Sequence, residues 1–216
     1  MIFDTKQHPV TQSILVKASR ELSEADERLG GLIQKVGPCQ LSLTWKDQHF
    51  PSLVEAILYQ QLSTKAAGTI LNRFRSLYAT KRFPTAKEIH ETPESDLRSV
   101  GISRQKISYL KDLSKRMMDR SLLLTRIDSM NDVEVIAHLC QVKGIGRWTS
   151  EMFLIFTLGR PDVMPATDLG IQKAVQRLYR MRTVPFPDKV EKLGQRWRPY
   201  RSVAAWYLWA SVDGNF

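Results

Sequence analysis

At 216 residues, 43% apolar and 25% charged, the chain is long enough to bury a sizeable core, and its composition excludes a disordered or fibrous protein. Thirty-two Lys and Arg against twenty-two Asp and Glu leave a formal charge of +10 and a pI near 9.8, a balance that points to a polyanionic partner, nucleic acid first. Two cysteines, Cys39 and Cys140, exclude a disulfide framework and form no CxxC pair with zinc spacing.

The first ten residues hold Asp4 and His8 and no apolar run, so they do not read as a secretory signal. No stretch reaches the ~18 apolar residues of a membrane span. The expected location is intracellular: cytoplasmic with the nucleoid in a prokaryote, nuclear in a eukaryote. Apolar residues then recur at helical spacing with little period-two alternation, which predicts an all-α fold. A first helix is predicted over Thr11–Leu29 with Ile14, Leu15, Ala18, Leu22 and Leu29 inward, and Gly30, Gly31, Gly37 and Pro38 are expected to break the chain after it. One long helix is predicted over Pro51–Tyr78, interrupted, if anywhere, near Gly68. Its predicted inner face is Leu53, Ile57, Leu58, Leu62, Ala66, Ile70, Leu71 and Phe74. Proline suits the first turn, where no intrahelical N–H bond is lost.

Short helices at Thr85–Glu91 and Glu94–Ser99 are expected before a longer one at Arg104–Met118 capped by Ser103. Asn131 caps a helix running to Cys140, and a tight turn at Lys143-Gly144-Ile145-Gly146 leads into a helix at Arg147–Leu158. Two further helices, Thr167–Tyr179 and Arg201–Ser211, are separated by Pro185 and Pro187. There is no tandem repeat and no low-complexity linker.

The turn carries the strongest local signal. Two glycines flanking Ile145 let the backbone reverse sharply with no Cβ in the way. Ile145 would plug the turn into the core, and the next helix would present its free N–H groups to a phosphate, with Lys143 and Arg147 beside them. Taken alone, the same residues equally suit an ordinary glycine-rich connection. Twenty residues beyond Trp148, Asp168 opens a helix with Ile171, Val175 and Leu178 inward. By position it is an N-cap.

The hairpin Val142–Trp148 followed at this interval by Pro165-Ala166-Thr167-Asp168 resembles the helix-hairpin-helix (HhH-GPD) DNA glycosylase superfamily, and within it the 3-methyladenine DNA glycosylase II branch. Further matches are Ala56-Ile57-Leu58-Tyr59-Gln60-Gln61-Leu62-Ser63 upstream and Arg196-Trp197-Arg198-Pro199-Tyr200-Arg201-Ser202 running to Trp209 downstream, so the resemblance extends from about Leu32 to Trp209. It implies a helix-hairpin-helix glycosylase fold of two closely packed helical lobes with the active-site cleft between them. One lobe would span about 50–160, with the hairpin at 140–150, and the other 1–50 plus 160–216, together a single glycosylase unit. The short stretch before the matched residues leads to the expectation of a short form without the N-terminal β-rich domain of the long bacterial members.

The same resemblance makes Asp168 the catalytic carboxylate, which agrees with the charge that develops on the sugar when an N-glycosidic bond breaks. The implied base pocket is Trp148, Trp209 and Tyr59. An electron-rich pocket suits 3-methyladenine and 7-methylguanine because alkylation leaves those bases cationic. Trp197 reads instead as a core aromatic. Trp148 stands where lyase-active members carry lysine, so hydrolysis to an abasic site without strand cleavage is expected. The base-flipping wedge falls in Tyr59–Ser63, with Gln60, Gln61 and Ser63 as candidates, and Gln61 occupies the place of a leucine in long bacterial members. Otherwise Gln60, Gln61, Ser63 and Thr64 are a solvated helix face.

Lys143, Gly144, Ile145, Gly146, Arg147 and Thr149 form the implied phosphate-binding hairpin, and the family implies a Na+ or K+ at the carbonyls of Cys140, Val142 and Ile145. With no cysteine beyond Cys140, no iron-sulfur cluster is expected. The four histidines, His8, His49, His90 and His138, show no ligand spacing. The expected partner is double-stranded DNA with damaged bases, bound by a monomer. Two alternatives remain at this point: a non-catalytic DNA-binding module, or a glycosylase of the same fold with another base preference, such as hypoxanthine or ethenoadenine.

Overall fold

A computed structural model describes residues 9–43, 48–78 and 82–214; His8 lies outside the described residues. Twelve α-helices follow in chain order: α1 (Gln12–Ala25), α2 (Glu27–Val36), α3 (His49–Tyr59), α4 (Thr64–Ser76), α5 (Ala86–Glu91), α6 (Glu94–Ser99), α7 (Arg104–Met118), α8 (Asp132–Leu139), α9 (Arg147–Phe156), α10 (Leu169–Leu178), α11 (Pro187–Gly194) and α12 (Arg201–Asp213). Two 3-10 turns, Leu124–Ser129 and Gln195–Trp197, complete them, and among the described residues there is no strand. The fold is all-α, as the periodicity predicts. The chain divides into two compact units, one of Met1–Thr44 with Leu154–Phe216 and one of Trp45–Phe153.

In the first unit, α12 packs against α1, α2 and α10. Ser202 to Ala205, Tyr207 and Leu208 are all fully buried, while Trp206, Trp209 and Ala210 are half-buried. Asp26 ties the unit together. Its Oδ1 accepts the N–H groups of Arg28 and Leu29 at 3.1 and 3.2 Å, which starts α2, while Oδ2 accepts Trp197 Nε1 at 3.1 Å and the Tyr179 hydroxyl. Burial, then the bond to Asp26, pushes the Tyr179 phenol well above its ordinary value. Trp197 is fully buried, in keeping with its reading as a core aromatic.

The expected single helix Thr11–Leu29 is two helices, and Gly30 and Gly31 lie inside the second rather than breaking the chain. The Asp26 cap decides the break, and Gly30 is needed within α2 because a Cβ there would meet the Ser23 carbonyl of α1 at 3.0 Å.

The second unit is organised on α7, which contacts α3, α5 and α6 and buries Ile107, Leu110 and Leu113. Ser103 caps α7 through the Lys106 N–H, and Asn131 opens α8 with a reciprocal capping box to Glu134. Thr85, Glu88 and Arg82 do the same for α5; hydrogen bonds from Arg82 and Thr85 hold the Glu88 carboxyl down at about 2. The long helix predicted over Pro51–Tyr78 breaks at Gln60–Ser63, not at Gly68. The break resets the helical phase: Ala67, Leu71 and Phe74 turn inward, Leu62 and Ala66 are exposed, and Ile70 is half-buried.

Candidate active site

Asp168 is held at the mouth of α10 by a short, heavily tied segment. Gly159 takes φ +67, a left-handed backbone that a side chain disfavours. Ser202 of α12 then anchors the chain twice, its hydroxyl donating to the Arg160 carbonyl at 2.6 Å and accepting the Val163 N–H at 2.9 Å. Asp162 receives Arg201 Nε at 2.7 Å and Arg198 at 2.9 Å. Met164, Pro165 and Ala166 are buried, and the Ala166 carbonyl accepts the Gln172 amide at 2.9 Å. The segment thus reaches Asp168 with its backbone fixed on α12 and α10 alike.

Asp168 is the N-cap of α10, as its position suggests: Oδ1 accepts the Ile171 N–H at 2.8 Å. The same oxygen accepts Trp209 Nε1 at 3.0 Å. One carboxylate oxygen is therefore oriented by two N–H donors from two helices, at a helix end whose dipole favours an anion. Gly170 makes room for this arrangement. A Cβ there would lie 3.0 Å from Asp168 Oδ1 and 3.4 Å from Trp209 Cδ1.

Trp209 also forms part of an aromatic recess of about 410 Å³ within this unit. Phe156 and Trp206 line it with Trp209, beside Val36, Pro38 and Gln40. The Phe156 and Trp209 rings are 5.8 Å apart and tilted by 31°. Sequence reasoning named Trp209 here but missed Phe156, Trp206 and Gly170. Trp206 had a usable signal, since it precedes Trp209 by three residues and so shares a helix face with it. Phe156 and Gly170 acquire their places through packing.

The second unit carries the hairpin. Ile145 is 3% exposed and seated in the core, as expected, while Lys143, Gly146 and Arg147 are exposed. Gly144 takes φ +79, and a Cβ there would fall 2.1 Å from the Tyr109 ring, so α7 closes against bare backbone. The Lys143 N–H donates to Asp112 Oδ2 at 2.9 Å, and Arg116 Nε to the same oxygen at 2.9 Å. Burial pulls the Asp112 carboxyl upward, but these donors outweigh it and hold it below its ordinary value. Arg147 is paired with the buried Glu151 at 2.8 Å.

Thr149 is 6% exposed, its side chain turned inward on α9, so a phosphate role there falls to its backbone N–H. Trp148, by contrast, is 45% exposed, which sets it apart from a core aromatic. Tyr59 closes α3 half-buried, its hydroxyl facing Gly68 of α4, and burial with the Glu55 carboxylate raises its phenol above the ordinary value. Ser63 is exposed and serves as the N-cap of α4, accepting the Ala66 N–H at 3.4 Å. Gln60 donates its amide to the Gly144 carbonyl at 2.8 Å, so it reaches the hairpin and is not a solvated helix face. Gln61 is exposed with φ 57. Cys39 is buried, and burial pushes its thiol up to about 11, which makes it inert. No group of three or more metal-ligating side chains occurs among the described residues.

The HhH-GPD superfamily of base excision DNA repair proteins matches residues 54–199. DNA-3-methyladenine glycosylase 1 of Schizosaccharomyces pombe is 37% identical over 212 residues, 97% of this chain and 92% of that protein. The structure of the S. pombe 3-methyladenine DNA glycosylase Mag1 in complex with abasic DNA superposes with a TM-score of 0.84, covering 91% of this chain and 97% of that one. A DNA-3-methyladenine glycosidase from Bacillus halodurans gives 0.79 at 33% identity, covering 90% and 88% of the two chains. With a fixed carboxylate at a helix mouth, a glycine hairpin and these relatives, the chain belongs to the HhH-GPD superfamily of base excision DNA repair proteins.

Proposed function

We propose that the protein is a monofunctional DNA glycosylase that hydrolyses the N-glycosidic bond of alkylated purines, the 3-methyladenine and 7-methylguanine class, in flipped-out nucleotides and leaves an abasic site. The observation that carries this reading is Asp168, whose Oδ1 is fixed by Ile171 N–H and Trp209 Nε1 beside the recess of Phe156, Trp206 and Trp209. The names of the relatives above point the same way. As the C1′–N bond breaks, the base leaves with both bonding electrons and C1′ becomes cationic. A cationic methylated base departs neutral and needs no added proton. The fixed anion of Asp168 stabilises the sugar cation, water supplies the new C1′–O bond, and the proton lost by that water goes to Asp168 or to solvent. The aromatic recess favours a cationic base at roughly 0.5–2 kcal/mol per cation–π contact, and Trp148 and Tyr59 are further candidates for contact with the base.

The duplex partner is gripped by the hairpin, with Lys143 and Arg147 beside the N–H groups that open α9. A Na+ or K+ at the carbonyls of Cys140, Val142 and Ile145 belongs to the same reading. The Val142 carbonyl accepts the Ile145 N–H at 3.1 Å and retains its second lone pair, and neutral carbonyls suit a weakly charged hard cation. Such an ion would fix the turn and take no part in chemistry. The enzyme acts as a monomer wherever chromosomal DNA lies, in the nucleoid or the nucleus. Chromatography of bases released from methylated duplex DNA tests the reading, with 3-methyladenine and 7-methylguanine expected in the soluble fraction. Release of neither base contradicts it, and a borohydride-trapped covalent adduct would contradict the absence of lyase chemistry.

A further inference from the structure

The turn between α3 and α4, assigned above to base flipping, is tied down more firmly than a surface turn requires. Lys106 of α7 donates to the Leu58 carbonyl at 2.7 Å, closing the end of α3. The Leu62 N–H reaches back to the Tyr59 carbonyl at 3.3 Å, and Ser63 caps α4. Between these anchors Gln61 adopts φ 57, a left-handed backbone that a side chain disfavours. Leu62 beside it is 41% exposed. The turn therefore holds one strained residue and one apolar side chain outward, and the neighbouring contacts keep them there.

Gln60 connects this turn to the hairpin. Its Nε2 donates at 2.8 Å to the carbonyl of Gly144, 84 positions away. Gly144 is itself immobilised, with the Tyr109 ring against its Cα and the preceding Lys143 N–H on Asp112. We propose that Gln60 is a positioning residue that locks the flipping turn to the phosphate-gripping hairpin, so that docking of the backbone and filling of the vacated base position occur in one fixed register. The proposal rests on the glycosylase reading and reassigns Gln60 from the wedge itself to its support. Gln61 remains a candidate to fill the gap, and the exposed Leu62 beside it joins it in this proposal. A gap-filling side chain must arrive where the base has left, and a register fixed in advance removes the ordering cost from that step.

Glutamate at position 60 discriminates support from wedge. It matches glutamine in size and can fill a gap, but its carboxylate cannot donate to the Gly144 carbonyl. Gln60→Glu and Gln60→Ala are compared with wild type using 2-aminopurine placed beside a tetrahydrofuran abasic analogue, a fluorescence readout of local unstacking that needs no excision. Both variants are expected to lose about fivefold of the affinity-normalised signal, the worth of one neutral hydrogen bond. Affinity for undamaged duplex is expected to change less than the fluorescence signal, since the hairpin's own phosphate contacts remain, and the melting temperature to fall by no more than a few degrees. Excision of a methylated base from a paired position should fall in parallel, with little loss when the lesion faces an abasic analogue and extrusion is easy. A wild-type fluorescence signal with Gln60→Glu overturns the proposal, as does an equal excision loss opposite both partners. Failure of wild-type protein to excise from either duplex would count against the glycosylase reading, which the fluorescence comparison does not use.

Discussion

The carboxylate site and the hairpin solve opposite problems. Around Asp168 the protein adds groups: two N–H donors on one oxygen, contributed by α10 and α12, and an aromatic wall beside them. Around Gly144 it removes one, leaving bare backbone where Tyr109 closes in and holding the turn by its amide hydrogens and carbonyls. Under the proposed function the first arrangement fixes a charge where a cation develops, and the second fixes a shape that DNA backbone can approach. Perturbing the carboxylate region should therefore change the excision rate while affinity persists. Perturbing the hairpin should change affinity and its salt dependence.

The sharpest way to break that contrast is Gly144→Ala. The substitution forces a left-handed residue and drives a Cβ to 2.1 Å from the Tyr109 ring. Duplex affinity, measured by anisotropy, should drop by about tenfold or more, since the left-handed backbone alone costs roughly 1–2 kcal/mol. The rate at saturating enzyme should change much less. Gly170→Ala is the converse test, because its Cβ crowds Asp168 Oδ1 and Trp209 while alanine favours the helix. Single-turnover excision should fall by about three- to tenfold with affinity retained, and the melting temperature should hold or rise, alanine being worth up to about 1 kcal/mol over glycine in a helix.

Two smaller effects sharpen the hairpin side. The Asp112 carboxyl is held below its ordinary value by the Lys143 N–H and Arg116, so its stabilisation is present above the unfolded value and is lost as pH falls through the lower folded one. Asp112→Asn should lower the melting temperature at neutral pH by a few degrees, a difference that vanishes in acid, as thermal scans across pH would record. Lys143→Ala should weaken binding to every duplex about equally and make the salt dependence shallower by about one unit of log–log slope.

Much of this was legible in the sequence where local chemistry decides. Ser103, Asn131 and Asp168 are caps whose side chains bond to the next turn, and all three open helices as expected. The break at Gln60–Ser63 was not, because the apolar pattern from Leu53 to Phe74 fits an unbroken helix, and the Ser63 cap is joined by tertiary contacts from Lys106 and Gly144 that the pattern does not show. Pro187 was expected to separate helices and instead opens α11, where its lack of an N–H is harmless. In the carboxylate region, the order and spacing of motifs identified Asp168 and Trp209. The hydrogen bond between them, the room left at Gly170 and the recruitment of Phe156 arise from how α10 and α12 pack and how Phe156 meets Trp209, and no periodicity encodes that.

The central claim is that the Asp168 carboxylate, and not merely its cap, carries excision. Asn can still cap α10 and accept from Trp209 but carries no charge. Alkali-labile sites formed in a methylated duplex by wild-type and Asp168→Asn protein, at enzyme concentrations that saturate the DNA, measure this directly. Excision should fall by at least about 10²-fold in the variant, the scale set by losing a preorganised electrostatic group, while affinity for an abasic duplex persists. An Asp168→Asn protein that forms such sites at the wild-type rate would contradict the account.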